Sequence, residues 1–232
     1  MGITKNRKKV ITKVQAGKAY QLKEAAEILK GMVFTKFDST VEINMRLGVD
    51  PKNADQMVRG TVSLPNGSGK ELKVLVLCNP DKEEEAKAAG ADFVGLEEFI
   101  PKIEKGWTDM DVVVAQPSVM GTIGKLGKVL GPRNLMPNPK SGTVTDDIAK
   151  VVAEIKKGKI SFKVDKDGIV ASGIGKASFS AEQIEQNAME FINTISKMKP
   201  ASVKGTYIKT VYLSGTMSPS VLIDHKEMLS SK

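Results

Sequence analysis

The chain has 232 residues, enough for one large domain or two modest ones that each bury a core of their own. Its formal net charge of +8 points to a polyanionic partner, while a single cysteine, Cys78, excludes an internal disulfide and the lack of a CxxC pair removes the usual structural zinc site. Lys5, Arg7, Lys8 and Lys9 lead into mixed polar and apolar residues rather than a signal segment, and no apolar run reaches membrane-spanning length, so the expectation is a cytoplasmic protein with no membrane partner.

Helical patterning covers residues 3 to 17 and 22 to 31. Residues 40 to 47 then alternate, with Val41, Ile43, Met45 and Leu47 on one face and Thr40, Glu42, Asn44 and Arg46 on the other, the period of a half-exposed strand. Asp50-Pro51 signals a turn and residues 57 to 64 read as a second strand, so this part is expected to form an antiparallel pair with one wet face. PNGSGK, residues 65 to 70, has the composition of a flexible linker.

Beyond it the texture changes. Residues 72 to 78, 92 to 94 and 111 to 115 are short apolar strands separated by helical stretches near 82 to 89 and 96 to 105, a βαβαβ rhythm that predicts a parallel sheet in a three-layer α/β domain. Next comes GKLGKVLGPRNLMPNPKSGTV, residues 124 to 144. Between Asp111 and Asp146 there is no carboxylate, yet Lys125, Lys128, Arg133 and Lys140 all fall in that window. Its glycines and prolines favour exposed backbone turns, and ordinary solvated loops mix both signs of charge, so the stretch reads as a surface that meets phosphate.

Ile148, Val151, Val152 and Ile155 mark a further helix, with Asp146 and Asp147 complementing its N-terminal dipole. Residues 160 to 164 and 168 to 172 flank Asp165-Lys166-Asp167-Gly168, a hairpin signal. Ser180 and Gln183 form a capping box for a helix carrying Ile184, Ala188, Phe191, Ile192, Ile195 and Met198, closed by Pro200. Residues 207 to 213 and 221 to 223 are the last strands.

Neither terminal segment offers apolar surface for a secure core by itself. The expected fold class is therefore α/β in two domains: residues 1–66 and 160–232 make one split α+β domain, and residues 67–159 are inserted as a three-layer α/β unit. Residues 1 to 67 hold 12 Lys/Arg against 6 Asp/Glu, residues 68 to 160 hold 14 against 14, and residues 161 to 232 hold 9 against 7, so the positive excess gathers on the split domain.

Catalytic material is scarce. His225 is the only histidine and is placed in a polar tail, which leaves little for triads or metal pairs. The Asp165–Gly168 segment lacks the later ligands of a calcium loop, and Gly67, Gly69 and Lys70 lack the spacing of a phosphate-wrapping loop. A nucleotide-dependent α/β enzyme with an accessory basic surface is the alternative reading, weakened by Asn79-Pro80-Asp81 where close-approach glycines would follow the first strand. No cofactor and no metal are expected.

GKLGKVLGPRNLMPNPKSGTV, Lys36-Phe37-Asp38, LGVDP at 47 to 51, VRGTVSLPNGSGK at 58 to 70, AGADFVG at 89 to 95 and Thr216-Met217-Ser218-Pro219 together resemble the bacterial ribosomal protein L-one family, the mobile stalk protein of the large subunit. The likeness covers essentially the whole chain. It implies a split α+β first domain, an inserted Rossmann-like second domain, and hinges near 65 to 70 and 156 to 160. It also implies a non-enzymatic protein, monomeric when free, whose first domain binds large-subunit rRNA and its own operon mRNA, and which touches deacylated tRNA at the exit site. The family's Thr-Met-Gly-Pro loop falls on Thr216, Met217, Ser218 and Pro219, Ser218 departing from the glycine, and its strand-leading phenylalanine falls on Phe37. Lys36, Arg46, Lys163 and Lys166 are the expected phosphate partners around Phe37, Thr216, Met217 and Ser218, and Lys125, Lys128, Arg133 and Lys140 form a secondary RNA or tRNA contact.

Overall fold

A computed structural model describes residues 4–15 and 17–225. The chain opens with helices α1 (Lys5–Ile11) and α2 (Leu22–Gly31), then strands β1 (Thr40–Leu47) and β2 (Arg59–Ser63). Helix α1 is shorter than the patterning of residues 3 to 17 predicts. The Thr12 hydroxyl turns back to the Lys9 carbonyl, and Gly17 takes a φ of 82°, which no α-helix accepts.

The middle of the chain runs β3 (Val74–Leu77), α3 (Glu83–Ala88), β4 (Phe93–Val94), α4 (Phe99–Glu104), β5 (Val112–Ala115), α5 (Met120–Ile123), α6 (Gly127–Leu130) and α7 (Ile148–Lys156). The C-terminal part adds β6 (Lys159–Lys163), β7 (Ile169–Lys176), α8 (Ala181–Lys197), β8 (Ile208–Gly215) and β9 (Val221–Ile223). Two compact units result: one runs to Gly69 and resumes at Ile160, and the other is Lys70–Lys159.

In the first unit a four-stranded sheet has the order β7-β1-β8-β9, with β1 antiparallel to both of its neighbours. A strand from the N-terminal segment thus lies between two strands from the C-terminal segment. The period-2 pattern of β1 decides which face is inside: Val41, Ile43 and Met45 are fully buried, and α2 and α8 pack over them through Ala25, Ala26, Leu29, Ile184, Ala188 and Phe191. Burying each large aliphatic side chain in this layer contributes about 1.5 to 3 kcal/mol. Thr40, Glu42 and Asn44 are only partly covered and Arg46 is exposed.

Strand β2 does not pair with β1, contrary to the expected antiparallel pair, because β7 and β8 occupy both edges of β1. It pairs with β6 in a separate two-stranded sheet. The Asp165–Gly168 segment does form a tight turn: the Asp165 N–H donates to the Ile169 carbonyl at 2.8 Å, the Gly168 N–H to the Asp165 carbonyl at 3.2 Å, and Gly168 has φ 76°. Its two strands then part company, β6 to β2 and β7 to β1, so the turn links two sheets rather than closing one hairpin.

The capping box of α8 forms as read, with Ser180 Oγ accepting from the Gln183 N–H at 3.1 Å and Gln183 Oε1 accepting from the Ser180 N–H at 2.9 Å. Met198, expected on the apolar face, lies past the end of α8 and is exposed. His225 is not in a solvated tail: it is buried, with Nε2 at 3.1 Å from the Ile208 carbonyl.

PNGSGK is not a free linker by geometry. Asn187, fully buried on α8, donates to the carbonyls of Gly67 at 2.9 Å and Ile174 at 2.7 Å and accepts from the Asn66 N–H at 3.1 Å. Asn66 Nδ2 adds a bond to Gln186 Oε1 at 2.9 Å. A composition signal reports polarity and glycine content; it carries no information about a single buried amide 120 residues away.

The second unit has a parallel sheet of order β4-β3-β5, and its strands bury both faces. Leu75, Leu77, Val113 and Ala115 pack with Phe99, Ile103, Ile123, Leu126 and Leu130 on one side; Val74, Val76, Cys78 and Val114 pack with Ala86, Ile148, Val152 and Ile155 on the other. Residues 143 to 145 run beside β5, with a parallel bridge between Ala115 and Val144. The stretch expected to be exposed turns from Gly124 onward is in its first half a run of helical turns. Ile123, Leu126 and Leu130 recur at helical spacing and are fully buried, and this apolar period prevails over three glycines.

Candidate nucleic-acid interface

The surface begins where β1 begins. The Thr40 N–H donates to Thr216 Oγ1 at 3.1 Å, and the Thr216 N–H returns to the Thr40 carbonyl at 3.1 Å. On the other side of β1, Lys176 Nζ donates to Thr40 Oγ1 at 3.0 Å, and the Ala177 N–H donates to the Ser39 carbonyl at 2.8 Å. Just before them, both oxygens of Asp38 are taken by Ser178, one by its N–H at 3.1 Å and one by its hydroxyl at 2.8 Å. The first residue of β1 is therefore held from both sides, and Asp38 and Ser39 ahead of it are held from the β7 side.

That bracing leaves two apolar side chains in water. Phe37 and Met217 are each 56% exposed, the largest exposure among the large hydrophobic residues described. Nothing in the unit's core needs them, and flanking turns with cations nearby are a poor place for exposed apolar area unless something covers it. Lys36 is exposed beside Phe37. Ser218 folds back instead of pointing outward: its N–H donates to the Gly215 carbonyl at 3.1 Å, and its Oγ lies 3.3 Å from where a Cβ on Gly215 would be. A side chain at Gly215 would thus require the Ser218 hydroxyl to shift by a few tenths of an ångström.

Lys36, Phe37, Thr216, Met217 and Ser218 gather at this end of the sheet. The other proposed contacts do not. Arg46 is six positions further along β1, roughly 20 Å away at strand rise. Lys166 sits in the turn whose Gly168 carbonyl accepts from the Leu47 N–H, which places it at the Arg46 end. Lys163 lies on β6 in the two-stranded sheet. The single platform expected from the sequence divides in two, because β1 is a full strand long and its two ends are different places.

Sequence reasoning missed Lys176 and Ser178, which hold the strand start. Their partners lie 136 and 140 residues away, and no local period signals such a bond. Along the partly open sheet face, Asn44 Nδ2 meets Ser214 Oγ at 3.5 Å and Tyr212 is 36% exposed, adding polar groups and a ring to the same side as Thr40 and Arg46.

In the second unit Lys125, Lys128, Arg133 and Lys140 are all exposed. Lys125 and Lys128 ride on the helical turns that bury Leu126, and the Arg133 guanidinium donates to Thr108 Oγ1. Lys140 belongs to a turn locked by its own side chains: Asn138 Oδ1 accepts from the Lys140 N–H at 2.8 Å, and Thr143 Oγ1 accepts from the Asn138 N–H at 2.8 Å.

The ionisable groups of this unit serve its structure. Burial works to raise the Asp92 and Asp111 carboxyls, but bonds from Lys156 and the Val74 N–H at Asp92, and from Lys70 and the Lys73 N–H at Asp111, outweigh it and hold both below the ordinary range. Burial pushes the Cys78 thiol up, as for a packing residue. Among the described residues no group of three or more His, Cys, Asp or Glu is placed to hold a metal ion, and no helix is long and apolar enough to cross a membrane.

Comparison with known proteins adds an independent line. Residues 22–219 match the family described as "Ribosomal protein L1p/L10e family". The large ribosomal subunit protein uL1 of Bacteroides fragilis (strain YCH46) is 63% identical over 226 residues, covering 97% of each chain. The corresponding proteins of Porphyromonas gingivalis (strain W83) and Christiangramia forsetii (strain KT0803) are 60% and 58% identical over 224 residues, again covering 97% of each chain.

Proposed function

The chain belongs to the ribosomal protein L1p/L10e family and is a structural, non-enzymatic constituent of the large ribosomal subunit, and we propose that it grips rRNA chiefly with the surface where residues 36 to 40 meet residues 215 to 218. The observation that carries this reading is the pair of exposed apolar side chains, Phe37 and Met217, beside a strand start braced from both sides. Folded RNA is recognised through shape, ribose hydroxyls and phosphates, with aromatic faces for splayed bases. A rigid ledge with two apolar caps, several hydroxyls and nearby lysines suits that task. Arg46, Lys163 and Lys166 make a second, purely electrostatic contact with the backbone of the same RNA.

The same ledge serves for the protein's own operon mRNA, whose folded site presents the rRNA-like shape; one surface then supports both assembly and repression. The exposed cations Lys125, Lys128, Arg133 and Lys140 meet deacylated tRNA near the exit site and assist its release as the stalk moves. As a ribosomal constituent the protein is cytoplasmic and ribosome-associated. Hydroxyl-radical footprinting of purified protein on large-subunit rRNA tests the reading: protection that Phe37→Ala and Met217→Ala weaken supports the ledge, and an unchanged footprint with both variants refutes it.

A further inference from the structure

Residues 1–23 hold seven Lys/Arg and no Asp/Glu. The structure divides these cations by use. Lys13 Nζ is engaged with the Gly31 carbonyl at 2.7 Å, and Lys18 lies over the Tyr20 ring at 4.7 Å. Lys5, Arg7, Lys8 and Lys9 on α1 are exposed, and none forms an ion pair among the described residues. Val10 is buried in the first unit's core and Val14 packs against it, so the helix is fastened and its charged sides turn outward.

For a solvated stub, α1 is built against its own stability. It is only 7 residues long, and its N-cap Thr4 makes no side-chain cap. It has no acidic residue in the first turn, and Lys5 stands at the positive end of the helix dipole. Lys5 with Lys8 and Lys5 with Lys9 are like-charge pairs at three- and four-residue spacing, which repel. A row of negative charge laid against the helix would relieve the repulsion among these lysines and offset the placement of Lys5 at the positive end of the dipole. Helix α1 also lies outside residues 22–219, the part matched by the family profile.

We propose that α1 is a separate phosphate-backbone contact for rRNA, sequence-independent and distinct from the ledge at Phe37 and Thr216. It rests on the rRNA-binding reading above. The lysine side chains at positions 5, 8 and 9 neutralise phosphates and release counterions, adding affinity and salt sensitivity without adding sequence preference. The spacing of four exposed cations around a short fastened helix fits a nucleic acid groove edge; a flat anionic bilayer would call for a broad apolar face, and of the two apolar residues of α1 Val10 is buried in the core, which leaves Ile11 alone exposed among the cations.

The test compares the full-length protein with a Lys5→Gln/Lys8→Gln/Lys9→Gln variant, in filter binding to purified large-subunit rRNA from about 50 to 200 mM KCl. Glutamine keeps helix propensity and removes like-charge repulsion, so the melting temperature is expected to hold. The log–log salt slope should become shallower by roughly 2 to 3, with rRNA bound about tenfold or more weakly at the low-salt end. A triple Lys→Arg variant should keep the wild-type slope. A Gln variant with the wild-type slope overturns the proposal, as does one whose only loss is binding to anionic phosphatidylserine vesicles. Failure of the wild-type protein itself to bind rRNA would instead sink the ledge reading.

Discussion

Thr216 and Thr40 are locked together by a reciprocal pair of hydrogen bonds, each 3.1 Å long, between residues 176 positions apart. The Thr216 hydroxyl is therefore engaged with protein backbone before any RNA arrives. Its role is to fix where the Met217 turn leaves the sheet, and an RNA contact uses whatever bonding capacity is left.

It follows that Thr216→Val, which keeps the shape and removes the hydroxyl, strands the Thr40 N–H and should cost about 1 to 2 kcal/mol of stability and weaken rRNA binding by a similar amount. Thr216→Ser should keep most of both. Equal binding by the Val and Ser variants, measured by filter retention alongside thermal melting, would show that the brace does not matter.

Phe37→Ala and Met217→Ala remove exposed side chains, so melting temperatures should move little, within the usual ±0.5 kcal/mol of surface changes. Affinity for rRNA should fall by about 1 to 3 kcal/mol for Phe37 if a base stacks on its ring. A variant that melts early without losing affinity would assign these side chains to folding instead.

Asn187→Ala leaves two carbonyls and the Asn66 N–H without their partner in a buried place. About 2 to 4 kcal/mol should be lost in urea denaturation, and limited proteolysis should begin to cut within residues 65 to 70. Unchanged cleavage there would mean that the amide does not hold the segment.

Tyr207 is buried with its hydroxyl unpartnered among the described atoms, and burial pushes its pKa up to about 12. Tyr207→Phe should raise stability by about 1 kcal/mol, since an unsatisfied buried hydroxyl is removed at nearly constant shape. The folded pKa lies above the unfolded value near 10, so the wild type should lose stability as pH rises from about 10 towards 12, while the Phe variant should be flatter there. Alkaline melting curves that coincide would contradict this environment.

Replacing Lys125, Lys128 and Lys140 together with alanine should leave folding untouched, as all three are exposed, and flatten the salt dependence of tRNA binding by roughly 2 to 3. Arg133 is left intact because its bond to Thr108 gives it a structural use.

The mixed α/β class was readable because its signals are periodic. Alternation in Thr40–Leu47, apolar runs at Val74–Leu77 and Val112–Ala115, and the box of Ser180 and Gln183 are all local patterns, and each became the element it announced. Pairing was less readable. Nothing in residues 57 to 64 says that both edges of β1 are already taken, and nothing in Asp165–Gly168 says that its strands join different sheets. Glycines at 124 and 127 suggested turns, whereas the interval between Ile123, Leu126 and Leu130 was the stronger indicator. Of the candidate surface, Phe37 and Thr216 came from motif likeness, while Lys176 and Ser178 depend on long-range bonds and Arg46 was assigned too near for the length of its strand.

Because β1 rests between β7 and β8, its pairing on both edges is not complete until Gly215 has left the polypeptide exit tunnel, whereas Lys70–Lys159 closes from contiguous sequence. During synthesis at about 5 to 20 residues per second, β1 waits on the order of ten seconds with both edges bare. A nascent chain thus has no Thr40–Thr216 junction until β8 has been made, and a chain truncated before β8 is left with a sticky, half-built scaffold.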